Sequence, residues 1–307
     1  STNIKINLAG DHIDNIDGEL MVSYTTYETS ENYYFFNDFK LNAQNVDSLR
    51  YISLNSDMIK GSVTGEMKIA ELAPALQETL GRYFSAFEQQ GDFAQQDFDI
   101  NVEIFNTRPL TEIFMPELTL ETGGSIVGQY KSISNDLTLD FHSPGIRYGD
   151  MEVKDIRIES YTGDEAIELD FHSSAFYYSE TGKIDSISYV SLLRSDTAFF
   201  EFDWLAGDSL YFNGNLGGYV SQDDNEAIVL GLQNSQVDFT GDVWKFNEDN
   251  RIVYDTTGVY IDQLRLNSAA QELVLDGKIS ELESDQINVK LKNIEMLPFE
   301  PFLKGAN

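Results

Sequence analysis

At 307 residues the chain can bury a large core, and a 41% hydrophobic composition with 20 Phe and 16 Tyr excludes global disorder. With 52 acidic against 20 basic residues the net charge is −32; such a surface repels nucleic acid and disfavours docking on an anionic leaflet, and its ordinary use is solubility. No cysteine is present, so disulfides play no part and the redox compartment stays open, and no run of about eighteen apolar residues could span a bilayer as a helix.

Taken in chain order, most segments read as β-strands. Ile6-Asn-Leu-Ala-Gly-Asp11 resembles Ile52-Ser-Leu-Asn-Ser-Asp57, and each runs on into Gly-Glu, at Gly18-Glu19 and Gly65-Glu66. Aromatic residues crowd 33–39, 176–178 and 199–204. Apolar and polar residues alternate in Leu137-Thr-Leu-Asp-Phe141, at Ile156 and Ile158, in Ile167-Glu-Leu-Asp-Phe171, at Leu273 and Leu275, and in Ile287-Asn-Val-Lys-Leu291. Such alternation marks half-buried strands. Leu139-Asp-Phe-His-Ser143 recurs thirty residues on as Leu169-Asp-Phe-His-Ser173, a spacing that suggests stacked units of two or three strands. Turn signals fall at Asn213-Gly214, at Gly217-Gly218 and over 223–225 and 248–250.

One segment departs from the strand period. Leu72, Leu76, Leu80, Tyr83, Phe84 and Phe87 recur every three or four residues, which predicts an amphipathic helix over 72–87, with Pro74 tolerated in its first turn and Gly91 beyond its end. A shorter helix is predicted over 110–115, stopped by Pro116. The fold expected is therefore all-β: an elongated, curved, mostly antiparallel sheet with one amphipathic helix near 70–88. It forms one continuous repeat-built domain over 1–307, with a helical insertion at about 70–90. A start without Met and an end just after 302–305 give the expectation of a piece of something longer.

A pattern of apolar residue, any residue, Gly, any residue, apolar residue occurs six times. The copies are Ile16-Asp-Gly-Glu-Leu20, Val63-Thr-Gly-Glu-Met67, Ile126-Val-Gly-Gln-Tyr130, Phe212-Asn-Gly-Asn-Leu216, Phe239-Thr-Gly-Asp-Val243 and Leu275-Asp-Gly-Lys-Ile279. Residues two apart share a face of a strand, so each Gly is expected on the apolar face, leaving a dent between two large side chains. Repeated, this describes an apolar face that is curved and partly vacant.

Catalytic chemistry has little to stand on. His12, His142 and His172 are scattered without ligand spacing, and no Gly-x-Ser-x-Gly, Walker loop or His-Glu-x-x-His is present. The acidic run at 223–226 lacks the Gly and spaced Glu of a calcium loop and reads as an exposed turn. A pair such as Asp140 and Asp170 is expected by chance among so many carboxylates. The expectation is no enzyme, no cofactor and no metal.

The glycine-bearing strands, the Leu273-Val-Leu-Asp-Gly-Lys-Ile279 to Leu291 hairpin and the helix containing Leu80-Gly-Arg-Tyr-Phe84 together resemble the TamB family, and more broadly the AsmA-like proteins of Gram-negative envelopes. Phe114-Met-Pro-Glu-Leu-Thr-Leu120 followed by Gly124-Ser-Ile-Val-Gly-Gln-Tyr130 is similar to the Bacteroidota form. The resemblance implies a translocation and assembly module: a periplasmic β-taco with an apolar channel. Its full-length protein is anchored in the inner membrane by a helix absent from this chain. It also implies phospholipid or another acyl-chain lipid and a BamA- or TamA-like outer-membrane barrel as partners, with no catalytic residue to carry over.

The residues expected to line the groove are Ile16, Leu20, Val63, Met67, Ile126, Leu137, Leu139, Phe141, Ile167, Leu169, Phe171, Phe212, Leu216, Phe239, Val243, Leu275, Ile279, Ile287, Val289 and Leu291. A one-residue register error would turn a whole strand outward. The expected function is a non-enzymatic lipid conduit holding acyl chains in support of lipid or protein delivery to the outer membrane. Two alternatives stay open: a carbohydrate-binding or adhesin-like β-solenoid, and a structural β-sandwich with a filled interior.

Overall fold

The structure, a computed structural model, describes residues 2–295 apart from 29–32, 88–90, 92, 164, 180–181, 207–211, 224, 240 and 283. Among the described residues are 21 strands and two α-helices, the all-β composition that the period-two segments predict. The last residues of the insertion expected at about 70–90, 88–90, and the chain end after 295 lie outside the described residues. Where the sequence reads as one continuous domain, the chain divides into two compact units. The first comprises 1–82, 87–164 and 177–181, the second 83–86, 165–176 and 182–307.

Unit 1 carries β1 (Asn3–Ala9), β2 (Asp17–Glu28), β3 (Tyr33–Val46), β4 (Leu49–Ser56), β5 (Ile59–Glu66), β6 (Asp97–Ile104), β7 (Leu118–Leu120), β8 (Gly124–Lys131), β9 (Asp136–Tyr148) and β10 (Met151–Thr162). They pair antiparallel in the order β1-β2-β3-β4-β5-β6-β8-β9-β10, and β7 adds to β9. Two-residue turns set several registers: Val46 faces Leu49 across Asp47-Ser48, and Tyr148 faces Met151 across Gly149-Asp150. Such turns suit the twist of neighbouring strands when the first turn residue takes positive φ, as Asp47 does at 56° and Gly149 at 58°.

Helix α1 (Leu72–Gly81) follows β5, and α2 (Arg108–Phe114) follows β6. The first lies where helical spacing predicts it, and the second overlaps the short helix expected over 110–115 before Pro116. The first is shorter than expected: it ends at Gly81, and only a 3-10 turn (Ser85–Phe87) resumes helical geometry. Its most buried positions are Ala75 and Thr79, with Leu72, Leu76 and Leu80 half-buried beside them. Tyr83 and Phe84 are buried, but Phe87, expected on the same face, is 44% exposed because the helix has ended before it.

Unit 2 carries β11 (Ile167–Ser173), β12 (Ala175–Tyr177), β13 (Lys183–Arg194), β14 (Thr197–Ala206), β15 (Phe212–Gln222), β16 (Ile228–Phe239), β17 (Asp242–Phe246), β18 (Arg251–Asp255), β19 (Gly258–Ser268), β20 (Gln271–Ile279) and β21 (Ile287–Lys292). The antiparallel ladder runs β11-β13-β14-β15-β16. Strand β16 then pairs with β17 at one end and β18 at the other, both pair with β19, and β20 and β21 follow.

Two turn expectations are overturned in this unit. Asn213-Gly214 and Gly217-Gly218 lie inside β15. Their glycines serve close approach instead: a Cβ on Gly214 would fall 2.1 Å from the Trp204 ring, and one on Gly218 2.2 Å from the Gly231 carbonyl oxygen. Conversely, the repeat around Gly241 is no strand, because Phe239 faces Asp242 across the turn joining β16 to β17.

Candidate functional site

Cross-strand register assembles the apolar face of unit 1. One row runs Ile6, Leu20, Leu41, Leu54, Gly61, Val102, Ile126, Phe141, Ile158, each residue opposite the next across nine strands. A parallel row two residues along begins Leu8, Gly18, Ala43, Ile52, Val63, Ile100, Gly128, Leu139. Eight steps between strands at about 4.8 Å make each nine-strand row about 38 Å long. The intervening positions face the other way and read Asn7, Glu19, Asn42, Ser53, Ser62, Asn101, Val127, Asp140, Glu159. One face is therefore apolar and the other almost wholly polar.

The apolar face is not sealed. In the row from Ile6 to Ile158 no residue is fully buried: all are half-buried except Ile6, which is 65% exposed on the edge strand β1. The strands of the unit pair edge to edge in one ladder. At one end of the strands α1 does cover the sheet. The Tyr130 hydroxyl donates to the Ala75 carbonyl oxygen at 2.7 Å and lies 2.8 Å from Thr79 Oγ1, and its ring meets Phe98 edge-on with centroids 5.9 Å apart. Tyr130 is 1% exposed, and this burial pushes its phenol pKa up despite the Thr79 hydrogen bond.

Beside this cover lies Arg50, 4% exposed on the same face of β4 as Ile52 and Leu54. Its Nη2 donates to the Ile13 carbonyl oxygen at 2.6 Å, and Nη1 donates to the Asp14 carbonyl oxygen and to Asn45 Oδ1. Asp14 in turn accepts the Ile69 N–H at 2.6 Å. The guanidinium thus ties the segment before β2 to the sheet, and the Asp14 carboxylate ties it to the start of the helical region. Towards the far end of β9 and β10, Glu152 sits between Arg147 Nη2 at 2.9 Å and Lys154 Nζ at 3.0 Å, and the two cations, Arg147 foremost, hold its carboxyl below the usual range.

Of the residues expected in the groove, Leu20, Val63, Ile126, Leu139 and Phe141 fall on these rows. Ile16 precedes β2 and is half-buried, Leu137 is half-buried opposite Tyr130, and Met67 is buried just after β5. The rows also contain Ile6, Leu41, Leu54, Val102 and Ile158, which the glycine pattern does not find. Plain period-two alternation reaches several of them, as in Ile100-Asn-Val-Glu-Ile104.

Unit 2 has its own apolar rows. Ile167, Leu193, Ala198, Val220, Leu230, Ile252, Ile261, Gly277 and Ile287 are successive partners. Leu169 and Phe171 continue the face of Ile167, and Phe171 and Leu216 flank a path through Tyr189 and Phe202. Here the dent expected at a Gly is filled. The Trp204 indole lies over Gly214, packs on Phe202 and Phe212 with centroids 5.4 and 5.3 Å away, and Phe212 packs on Phe239 at 4.9 Å.

Four expected lining residues are exposed, for three reasons. Val243 is 40% exposed because its strand begins after the Gly241 turn, so the inward residue is Trp244, 3% exposed opposite Val237. Val289 and Leu291, 56% and 57% exposed, do face with Leu275 and Leu273, but on the edge strand β21. Ile279, 56% exposed, lies beyond Gly277, where pairing with β21 stops.

The expectation of dents needs a further correction. A Cβ on Gly65 would fall 2.0 Å from the Asp97 carbonyl oxygen, and its φ is +147°; Gly18 and Gly277 share that backbone region. These glycines let neighbouring backbones meet rather than leave room for a ligand.

His12 lies in the loop after β1, His142 in β9 and His172 in β11, and no group of three or more His, Cys, Asp or Glu among the described residues could hold a metal ion. Asp140 stands in unit 1 and Asp170 in unit 2. Asp223 Oδ1 accepts the N–H groups of Asn225 and Ala227, so its carboxylate builds a turn; Asp224 lies outside the described residues. No helix among the described residues is long and apolar enough to cross a membrane. No family model, curated protein or solved structure matches the chain.

Proposed function

We propose that the apolar face of unit 1 holds the acyl chains of a lipid, in a non-enzymatic segment of an envelope lipid conduit. The supporting observation is the nine-strand row from Ile6 to Ile158, whose residues are apolar in register yet none fully buried. Fully burying a Leu or Ile stabilises by roughly 1.5–3 kcal/mol, and a half-buried row leaves part of that unrealised. An acyl chain laid on the row would cover the remainder at about 0.8 kcal/mol per CH₂. Such contacts are non-directional, so a chain could move along the face without breaking specific bonds. The residues opposite, Glu19, Asp140 and Glu159 among them, keep the other side in water.

The resemblance to the TamB family extends the reading. It would place the protein in the periplasm, with phospholipid as cargo and a BamA- or TamA-like barrel as the acceptor. In unit 2 the packing of Trp204 over Gly214 favours a filled, structural interior, so the proposal is confined to unit 1.

The test is a photo-crosslinking amino acid at Ile126 or at its neighbour Val127, in cells and with lipid extracts. Val127 is 49% exposed and Ile126 half-buried, so capture by exposure alone would favour Val127. Lipid adducts at Ile126 and not at Val127 are expected. Equal capture at both, or capture at Val127 only, overturns the proposal.

A further inference from the structure

The polar side of unit 2 holds a groove of about 440 Å³, within the range of small-molecule sites. Two cross-strand sets build its floor: Asp203 opposite Asn215 opposite Gln236, and Asn213 opposite Asp238 opposite Val243. All six lie on the face away from Gly214, Val237 and Trp244. We infer that this groove is a binding site for a neutral, hydroxyl-rich ligand, a carbohydrate chain.

Three features carry the inference. First, the polar groups are held in place. Asn215 Nδ2 donates to Asp203 Oδ1 at 2.7 Å and to Glu201 Oε1 at 3.1 Å; the Ala206 N–H donates to Asn213 Oδ1 at 3.0 Å, and the Gly241 N–H to Asp238 Oδ1 at 2.8 Å. Among the described residues, Asp203 Oδ2, Asp238 Oδ2, Asn215 Oδ1 and the Asn213 amide N–H take part in no further hydrogen bond and keep a valence for a ligand. The Gln236 amide is exposed and takes part in none of these bonds. Fixed polar groups of this kind bind without first losing rotamer entropy.

Second, the chemistry is mixed. Carboxylates accept and amides both accept and donate, which matches hydroxyls that do both. No Lys or Arg lines the groove, Lys245 standing one strand beyond Gln236, so two carboxylates would repel an anion. Third, Leu205 and Val243, 55% and 40% exposed, border the polar floor and offer an apolar contact for the C–H face of a sugar ring. This site concerns the opposite chemistry in the other unit and does not rest on the lipid proposal.

The experiment titrates the whole chain with maltotriose, cellotriose and chitotriose, by calorimetry and by ligand-observed NMR, with EDTA present. The variants are Gln236→Ala, which breaks none of the anchoring bonds, and Asp203→Asn, which keeps an acceptor for Asn215. At least one trisaccharide is expected to bind with a millimolar or tighter Kd. Either variant should weaken it by about tenfold or more without moving the thermal midpoint. Failure of all three sugars to bind overturns the inference. So does binding as tight in both variants as in the unaltered chain, or saturable binding of Ca²⁺ in the absence of EDTA with no sugar binding in either condition.

Discussion

The Trp204 indole occupies the space that a side chain on Gly214 would need: a Cβ there would fall 2.1 Å from Cη2 and 2.2 Å from Cζ2. A glycine that reads as a vacancy is thus the seat of a tryptophan. The ring cannot retreat, because Phe202 and Phe212 pack against it and Phe239 backs Phe212.

Gly214→Ala should therefore destabilise unit 2 by about 1–3 kcal/mol, the usual cost of overpacking. Urea unfolding followed by tryptophan fluorescence reads it. A midpoint equal to that of the unaltered chain would mean that Trp204 has another place to go.

Tyr130→Phe removes the hydroxyl that joins β8 to α1 and leaves Thr79 and the Ala75 carbonyl short of a partner. A loss of about 1–3 kcal/mol is expected. The same variant tests pH dependence. The folded phenol pKa is raised, so its contribution is complete below the ordinary value of about 10 and is lost as pH climbs from there through the folded pKa. Above about pH 10 the unaltered chain should lose stability more steeply than Tyr130→Phe; parallel curves would contradict burial as the cause.

Arg50→Lys keeps the charge but not the fork that serves two carbonyls and Asn45 at once. The variant should lose about 1–3 kcal/mol and speed amide exchange over 10–16, the segment that Arg50 holds. Exchange that stays unchanged there would show that Asp14 and its bond to Ile69 suffice.

Leu139→Asp probes the lipid proposal from the folding side. Leu139 stands between Gly128 and Ser160 on neighbouring strands, so a carboxylate there has small neighbours and access to water. The chain should remain folded, at a cost of about 1–3 kcal/mol, and lose lipid copurification measured by mass spectrometry of organic extracts. A folded variant with undiminished lipid would exclude Leu139 from the contact. A variant that does not fold would place it in a closed core.

Period two in the sequence was sufficient for the class of fold, because alternation in segments such as 137–141, 167–171 and 287–291 leaves an antiparallel sheet few other ways to bury its apolar side. The helices were equally legible, since spacings of three and four cannot sit on a strand. What the spacing did not contain was the job of each glycine. Gly65, Gly214 and Gly241 share one local pattern, yet one lets a neighbouring carbonyl approach, one seats Trp204 and one makes a turn. The atoms that decide among these come from Asp97, Trp204 and Asp242, and only the first two are distant in the chain. The groove floor of Asp203, Asn215 and Gln236 was invisible for the same reason: its residues are separated by a dozen or more positions and meet only through strand register. Local period sets which way a side chain points, but the neighbour that fills, covers or completes it is chosen by pairing across strands, and that is a property of the tertiary fold alone.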